Sequence, residues 1–210
     1  MRLEISQKEF VSLINDRFKH NEIKNIMEIG ALDGKDSMFY KSEYPNANVY
    51  TIEGLYENYI KFIKDNKNVV GINVVITDYD GYVDYHKKNI NGIHSIFNRG
   101  DEYGTEIIKS VDCKTFNTLC NEYDIDNIDF IKIDVEGASY EVIKGMGDRI
   151  KDIKMMHIET ESYPFFKNQK LHSDVCELLE ENNYQMIDMT SVNISNGKQH
   201  DSVWLNKKFL

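Results

Sequence analysis

The stretch Asp129-Phe-Ile-Lys132-Ile-Asp134-Val-Glu136-Gly137-Ala138-Ser139 carries ionisable side chains at alternate positions. On a strand, alternate side chains share a face, so Lys132, Asp134 and Glu136 face one way and Ile131, Ile133 and Val135 the other. A lysine inside a doubly covered strand is costly unless a carboxylate pairs with it. Glu28 and Glu159 are the candidate partners. Asp134 and Glu136 lie nearer the strand's end, where open α/β sheets place their ligands. His157, Glu159 and Glu161 alternate in the same way further along, able to converge with Asp134 and Glu136. Such a set suits proton removal or oxygen ligation of Mg2+ or Mn2+, with Asp134 and Glu159 as the metal candidates.

A second constellation is Glu28-Ile-Gly30-Ala31-Leu-Asp33-Gly34-Lys-Asp36-Ser37. Glycines let the backbone turn tightly and approach a ligand closely. Gly30 and Gly34 do not complete GxGxxG, and Asp33 and Asp36 would repel a pyrophosphate at the helix start while welcoming a cationic end. Glu53 follows Gly30 by 23 positions (53 − 30), where a carboxylate meets ribose hydroxyls. A nucleoside without pyrophosphate but with a cationic centre points to S-adenosylmethionine. The same features disfavour a nicotinamide-dependent oxidoreductase.

These residues need a scaffold. Ser6 and Glu9 form a capping-box pattern, and Phe10, Leu13, Ile14 and Phe18 recur at helical spacing, predicting a helix over about 7–19. Apolar strand patterns at 26–30, 49–54, 69–77, 129–135, 153–159, 184–189 and 202–206 alternate with helical ones at 36–44, 55–63, 115–123, 139–146 and 171–179. This alternation predicts an α/β fold, a mostly parallel sheet with helices on both faces. The last two strands, with no helix between them, predict an antiparallel pair at one edge. Asp80-Gly81 signals a hairpin turn into Tyr82-Val83-Asp84-Tyr85, and residues 88–110 carry no clear period. One domain spans 1–210, its core from about 23.

The order Glu28-Ile-Gly30-Ala31, Ile52-Glu53, Asn73 to Gly81 and Ile131-Lys132-Ile133-Asp134-Val135-Glu136-Gly137-Ala138 resembles the FkbM family of S-adenosylmethionine-dependent methyltransferases, over roughly 23–160 and weakly beyond. The sequence departs from the family pattern at Glu28, Asp33 and Gly54. The resemblance implies a class I methyltransferase, Rossmann-like fold: a mostly parallel seven-stranded sheet, its last strand antiparallel. An extra β-hairpin is expected after the third strand. It implies O-methylation of sugar or polyketide hydroxyls, the alternative being a non-catalytic cofactor-binding module. The cofactor set is then Glu28, Gly30, Ala31, Asp33, Gly34, Ser37, Glu53, Gly54, Ile76, Thr77 and Asp134. Catalysis falls to Asp134, His157 and Glu159, with Asp134 as base or metal ligand. Sugar O-methyltransferases outside this family supply the analogy for a metal.

Substrate recognition is expected from segments 86–112 and 160–201, with His94, Ser95, Glu136, Glu161, Tyr163, His200 and Asp201 as candidates. His20, His86 and His172 sit on polar stretches without an assigned role, and Trp204 is expected in the core. The chain has 25 Lys plus Arg against 35 Asp plus Glu, a net charge of −10. Without clustered basic residues this disfavours a nucleic-acid substrate. No apolar run approaches a membrane span, and no signal peptide pattern opens the chain. Three cysteines without CxxC or metal spacing fit the cytoplasm.

Overall fold

A computed structural model describes residues 4–100, 104–194 and 196–210. The chain opens with α1 (Gln7–Asn15), capped as its sequence predicts: Ser6 Oγ accepts from Glu9 N, and Glu9 Oε2 accepts from Ser6 N. The helix stops short of 19, yet Phe18 is still used: its ring packs 5.4 Å from that of Phe130.

Strands β1 (Asn25–Ile29) and β2 (Asn48–Glu53) flank α2 (Lys35–Glu43). A short α3 (Tyr56–Asn58) runs on into a π-turn, Tyr59–Ile63, where one helix was expected. The apolar run 69–77 divides into β3 (Val70–Asn73) and β4 (Val75–Thr77), which belong to different sheets. After β5 (Gly81–Lys88) and β6 (Thr105–Thr115) come α4 (Phe116–Glu122), β7 (Phe130–Ile133) and α5 (Ser139–Lys144). The chain ends with β8 (Met155–Glu161), α6 (His172–Glu181), β9 (Tyr184–Ile194) and β10 (Gly197–Asn206).

The main sheet has seven strands in the order β3-β2-β1-β7-β8-β10-β9. Its first five strands pair in parallel. The last, β10, inserts antiparallel between β8 and β9. A smaller sheet, β4-β6-β5, carries the expected hairpin. Here the turn reading needs correcting: β5 pairs antiparallel with β6 rather than with the preceding strand, and β4 joins β6 in parallel. Asp80 serves that junction by accepting from Thr115 N at 2.7 Å.

Alternation along the central strands splits the core in two. Met27, Ile29, Ile131, Ile133, Met156, Ile158 and Trp204 face α4, α5 and α6. Ile26, Phe130, Met155 and Val203 face α1 and α2. On this second face a polar row crosses the sheet, because Glu28 registers with Lys132 and Lys132 with His157. Burying such a row is tolerable only when its members pair.

Candidate active site

The carboxyl ends of β1, β2 and β7 converge on a cavity of about 180 Å3, lined among others by Gly30, Leu32, Glu53, Gly54, Val75, Ile76, Tyr85, His94, Asp134, Glu136 and Glu159. Gly30 makes the convergence possible. Its φ is +86°, and a Cβ there would lie 1.7 Å from the Asp134 carbonyl oxygen, so only glycine lets β1 pass so close to the end of β7. Asp134 N in turn donates to Ile29 O at 2.9 Å.

Glu53 is fixed by backbone donors. Leu32 N donates to Oε2 at 2.7 Å and Leu55 N to Oε1 at 2.8 Å. Burial pushes its carboxyl up to about 7, against the lowering pull of these N–H groups and of Asn58. Each carboxylate oxygen has a further lone pair to offer a hydroxyl donor.

At the other end of the cavity Asp134, Glu136 and Glu159 each present an oxygen within 4.8 Å of the others. Burial, then the neighbouring charge of Asp134, holds the carboxyls of Glu136 and Glu159 well above the usual range. Oε1 of Glu159 has no hydrogen-bond partner among the described residues. Lys132 lies 3.2 Å from Asp134 and 2.5 Å from Asp36. The expected ion pair at Lys132 therefore forms, but with Asp36 of α2 and its own strand neighbour rather than with Glu28 or Glu159. Arg99 stands 3.7 Å from Glu136 and over the rings of Phe165 and Phe166. It lies in the segment without sequence period, where nothing singled it out.

Other candidate cofactor residues lie around the cavity rather than on it. Glu28 is buried behind α2, where its Oε2 accepts from Ser37 N at 2.8 Å and from Ser37 Oγ. Burial raises its carboxyl to about 8. Ala31 N donates to Ile52 O, and Gly34 caps α2 in the left-handed region. Asp33 pairs with Lys35 at 2.6 Å. Thr77 is fully buried beside Ile76. Leu32, Val75 and Tyr85 line the cavity without having been picked out, because single apolar side chains carry no distinguishing spacing.

His157 lies under α1, not on the cavity. Its Nε2 meets Asp201 Oδ1 at 2.5 Å, Ile5 N donates to Asp201 Oδ2, and the Phe10 ring packs 5.1 Å away. Glu161 accepts from Gln169 Nε2, and burial raises its carboxyl to about 7. His200 faces the opposite side of the sheet, accepting or donating at Ser191 Oγ and stacking 4.2 Å from His172. Tyr163 is half-exposed against Phe165. Ser95 Oγ donates to the Glu136 carbonyl at 2.6 Å, tying segment 92–98 over the cavity.

Residues 28–186 match the family model described as the methyltransferase FkbM domain. The chain belongs to the FkbM methyltransferase family. It is an S-adenosylmethionine-dependent methyltransferase. The fold is similar to that of precorrin-6y C5,15-methyltransferase from Geobacter metallireducens GS-15, with TM-score 0.52 and 14% identity over 98% of this chain and 91% of that one. It is also similar to the Methanococcus jannaschii fibrillarin pre-rRNA processing protein, with TM-score 0.51 and 13% identity over 88% and 68%. TrmK of M. capricolum, solved with S-adenosyl-homocysteine, gives TM-score 0.50 and 11% identity over 90% and 66%. No curated protein matches the sequence. No helix among the described residues is long and apolar enough to cross a membrane.

The cavity fits the cofactor of this methyltransferase. Glu53 suits ribose hydroxyls, Val75 and Ile76 give a flat base an apolar wall, and Gly30 brings the β1 end against Asp134. The acidic end, with Asp134, suits a sulfonium.

Proposed function

We propose that this methyltransferase acts on a hydroxyl oxygen, that of a sugar or glycan. The observation that carries the reading is the cluster Asp134, Glu136 and Glu159 at the end of the cofactor cavity. A polyol presents several O–H donors, and a wall of carboxyl groups can accept from them and orient one. The bound cofactor supplies an electrophilic methyl group on a sulfonium.

The chain's residues have distinct tasks in this account. Glu53 holds the ribose, Gly30 lets β1 close on the end of β7 so that Asp134 faces the same cavity, and Glu28 with Ser37 braces α2 behind Gly34. Asp134 takes the acceptor's proton, since an alcohol is a poor nucleophile without a base. Glu136 and Glu159, pushed toward their protonated forms, can both donate to and accept from the substrate. Arg99 orients Glu136. Ser95 places segment 92–98 as the near wall, and substrate contact beyond the acid cluster is assigned to Glu161 and Tyr163, at and after the end of β8. His157 and Asp201 support the sheet beneath α1, and His200 does so from the other face.

Mg2+ or Mn2+ at Asp134 and Glu159, with Glu136 as third oxygen, is the second reading, favoured by the unpartnered Glu159 Oε1. Lys132 and Arg99 already bring positive charge to Asp134 and Glu136, so we favour proton removal without a metal. A polyketide-type hydroxyl remains the alternative acceptor. The net charge of −10 supports a substrate other than nucleic acid, and the free thiols support a cytoplasmic setting.

The test is methyl transfer to a panel of sugars, nucleotide sugars and macrolide alcohols by the wild type and Asp134→Asn, each with and without exhaustive chelation. Sugar methylation lost in Asp134→Asn but unchanged by chelation is expected. Transfer to nitrogen alone, or near-normal turnover of Asp134→Asn, overturns the reading. Loss on chelation with recovery in Mg2+ establishes the metal form.

A further inference from the structure

His94 lines the cavity, is only 7% exposed, and has one nitrogen accounted for. Its Nδ1 lies 3.0 Å from Lys88 N, a backbone group that can only donate. Burial, with Lys87 nearby, lowers its pKa from the ordinary 6.5, so the ring is neutral at pH 7. A neutral imidazole that accepts at Nδ1 carries its hydrogen on Nε2. That Nε2–H is buried and has no hydrogen-bond partner among the described residues. Donors in this position are seldom left unmatched.

The ring is held firmly. Segment 92–98 is bridged to β5 through His86 N to Ser95 O at 2.8 Å and to the Glu136 carbonyl through Ser95 Oγ. The buried Lys88 ammonium donates to Gly100 O and Thr105 Oγ1. The β2 end adjoins this segment. The Tyr85 ring packs over Gly54, and Leu32, whose N–H holds Glu53, lies beside Gly92. Of the charged groups that act on His94, Glu57 and Lys87 belong to this end and not to the acid cluster.

We propose that His94 is a cofactor-binding residue whose Nε2–H donates to an acceptor atom of the adenosine portion of S-adenosylmethionine. This rests on the assignment of that cofactor to the cavity, and it moves His94 from the substrate side, where the sequence placed it, to the nucleoside side. The chemistry demanded is an unprotonated ring nitrogen or ribose oxygen, both of which adenosine offers.

Two substitutions separate the ring's two nitrogens. The oxygen of asparagine can stand in for Nδ1 toward Lys88 N, leaving nothing at Nε2; the amide nitrogen of glutamine can reach the Nε2 position. The experiment is calorimetric titration of the full chain, His94→Asn and His94→Gln with S-adenosyl-homocysteine and with 5′-methylthioadenosine, which lacks the amino-acid end. Thermal unfolding of each ligand-free protein is recorded alongside.

His94→Asn should bind both ligands about tenfold more weakly with its melting temperature kept. His94→Gln should keep affinity within about threefold and melt lower. Wild-type affinity of His94→Asn for both ligands overturns the proposal, as does a loss confined to S-adenosyl-homocysteine, which would place His94 at the amino-acid end. If the wild type binds neither ligand, the cofactor assignment itself fails.

Discussion

Lys132 Nζ lies 3.2 Å from Asp134 Oδ2 and 2.5 Å from Asp36 Oδ2, both side chains of the pair with Asp36 being about 15% exposed or less. Burial alone would lower the Lys132 ammonium, but Asp134, Glu28 and Asp36 hold it well above its ordinary value. It therefore stays charged and anchors Asp134 at the cavity. Gln7 Nε2 also donates to Asp36 at 2.5 Å, so α1 and α2 clamp the same group.

Lys132→Met should lower kcat about 100-fold, the scale of a misplaced catalytic group, and cost about 3–5 kcal/mol by leaving Asp36 unpaired. Adding Asp36→Asn should restore most of the stability but not kcat. Denaturant unfolding and steady-state rates separate the two effects. A normal kcat in Lys132→Met would remove Lys132 from the account.

Glu28 gives the fold a pH dependence. Its carboxyl is raised to about 8 in the folded state against about 4.3 when unfolded. Its protonated form is thus bound more tightly in the native protein, and that contribution is lost as pH rises through 8. Buried histidines have the opposite slope but finish near pH 6.5, because His172 and His94 are lowered. Between pH 6.5 and 8.5 stability should fall by about 1–2 kcal/mol from Glu28 alone. Glu28→Gln, which keeps an acceptor for Ser37, should flatten that fall in unfolding free energy. An unchanged slope would show that Glu28 titrates normally.

Gly30→Ala should be severe. The new methyl would lie 1.7 Å from the Asp134 carbonyl on a backbone at φ +86°. A loss of at least about 2 kcal/mol is expected from the backbone conformation and clash, with cofactor affinity falling alongside. Thermal unfolding and calorimetry read both, and wild-type stability would contradict the close approach.

The strand-end residues were legible because local pattern places them. An apolar strand followed by glycine sets Gly30, the carboxylate 23 positions later sets Glu53, and period-two alternation sets Lys132 and Asp134. What was hidden depends on layers. Asp36 reaches Lys132 only because α2 lies over the sheet, and α1 covers His157, which took it off the cavity. Residues 105–115 form β6 with most side chains exposed or half-buried, so no apolar alternation announces the strand. Arg99 and His94 lie in the stretch before it, which has no sequence period either. His200 and Asp201 were grouped as neighbours, yet adjacent strand residues point to opposite faces: one meets His172 and the other His157.

The most direct test is a calorimetric titration of S-adenosyl-homocysteine into the wild type and Glu53→Ala. The account predicts binding by the wild type and at least about tenfold weaker binding by Glu53→Ala, since a buried carboxylate loses its hydrogen bonds to the ribose. Equal affinities, or a wild type that binds NAD and not S-adenosyl-homocysteine, would contradict it.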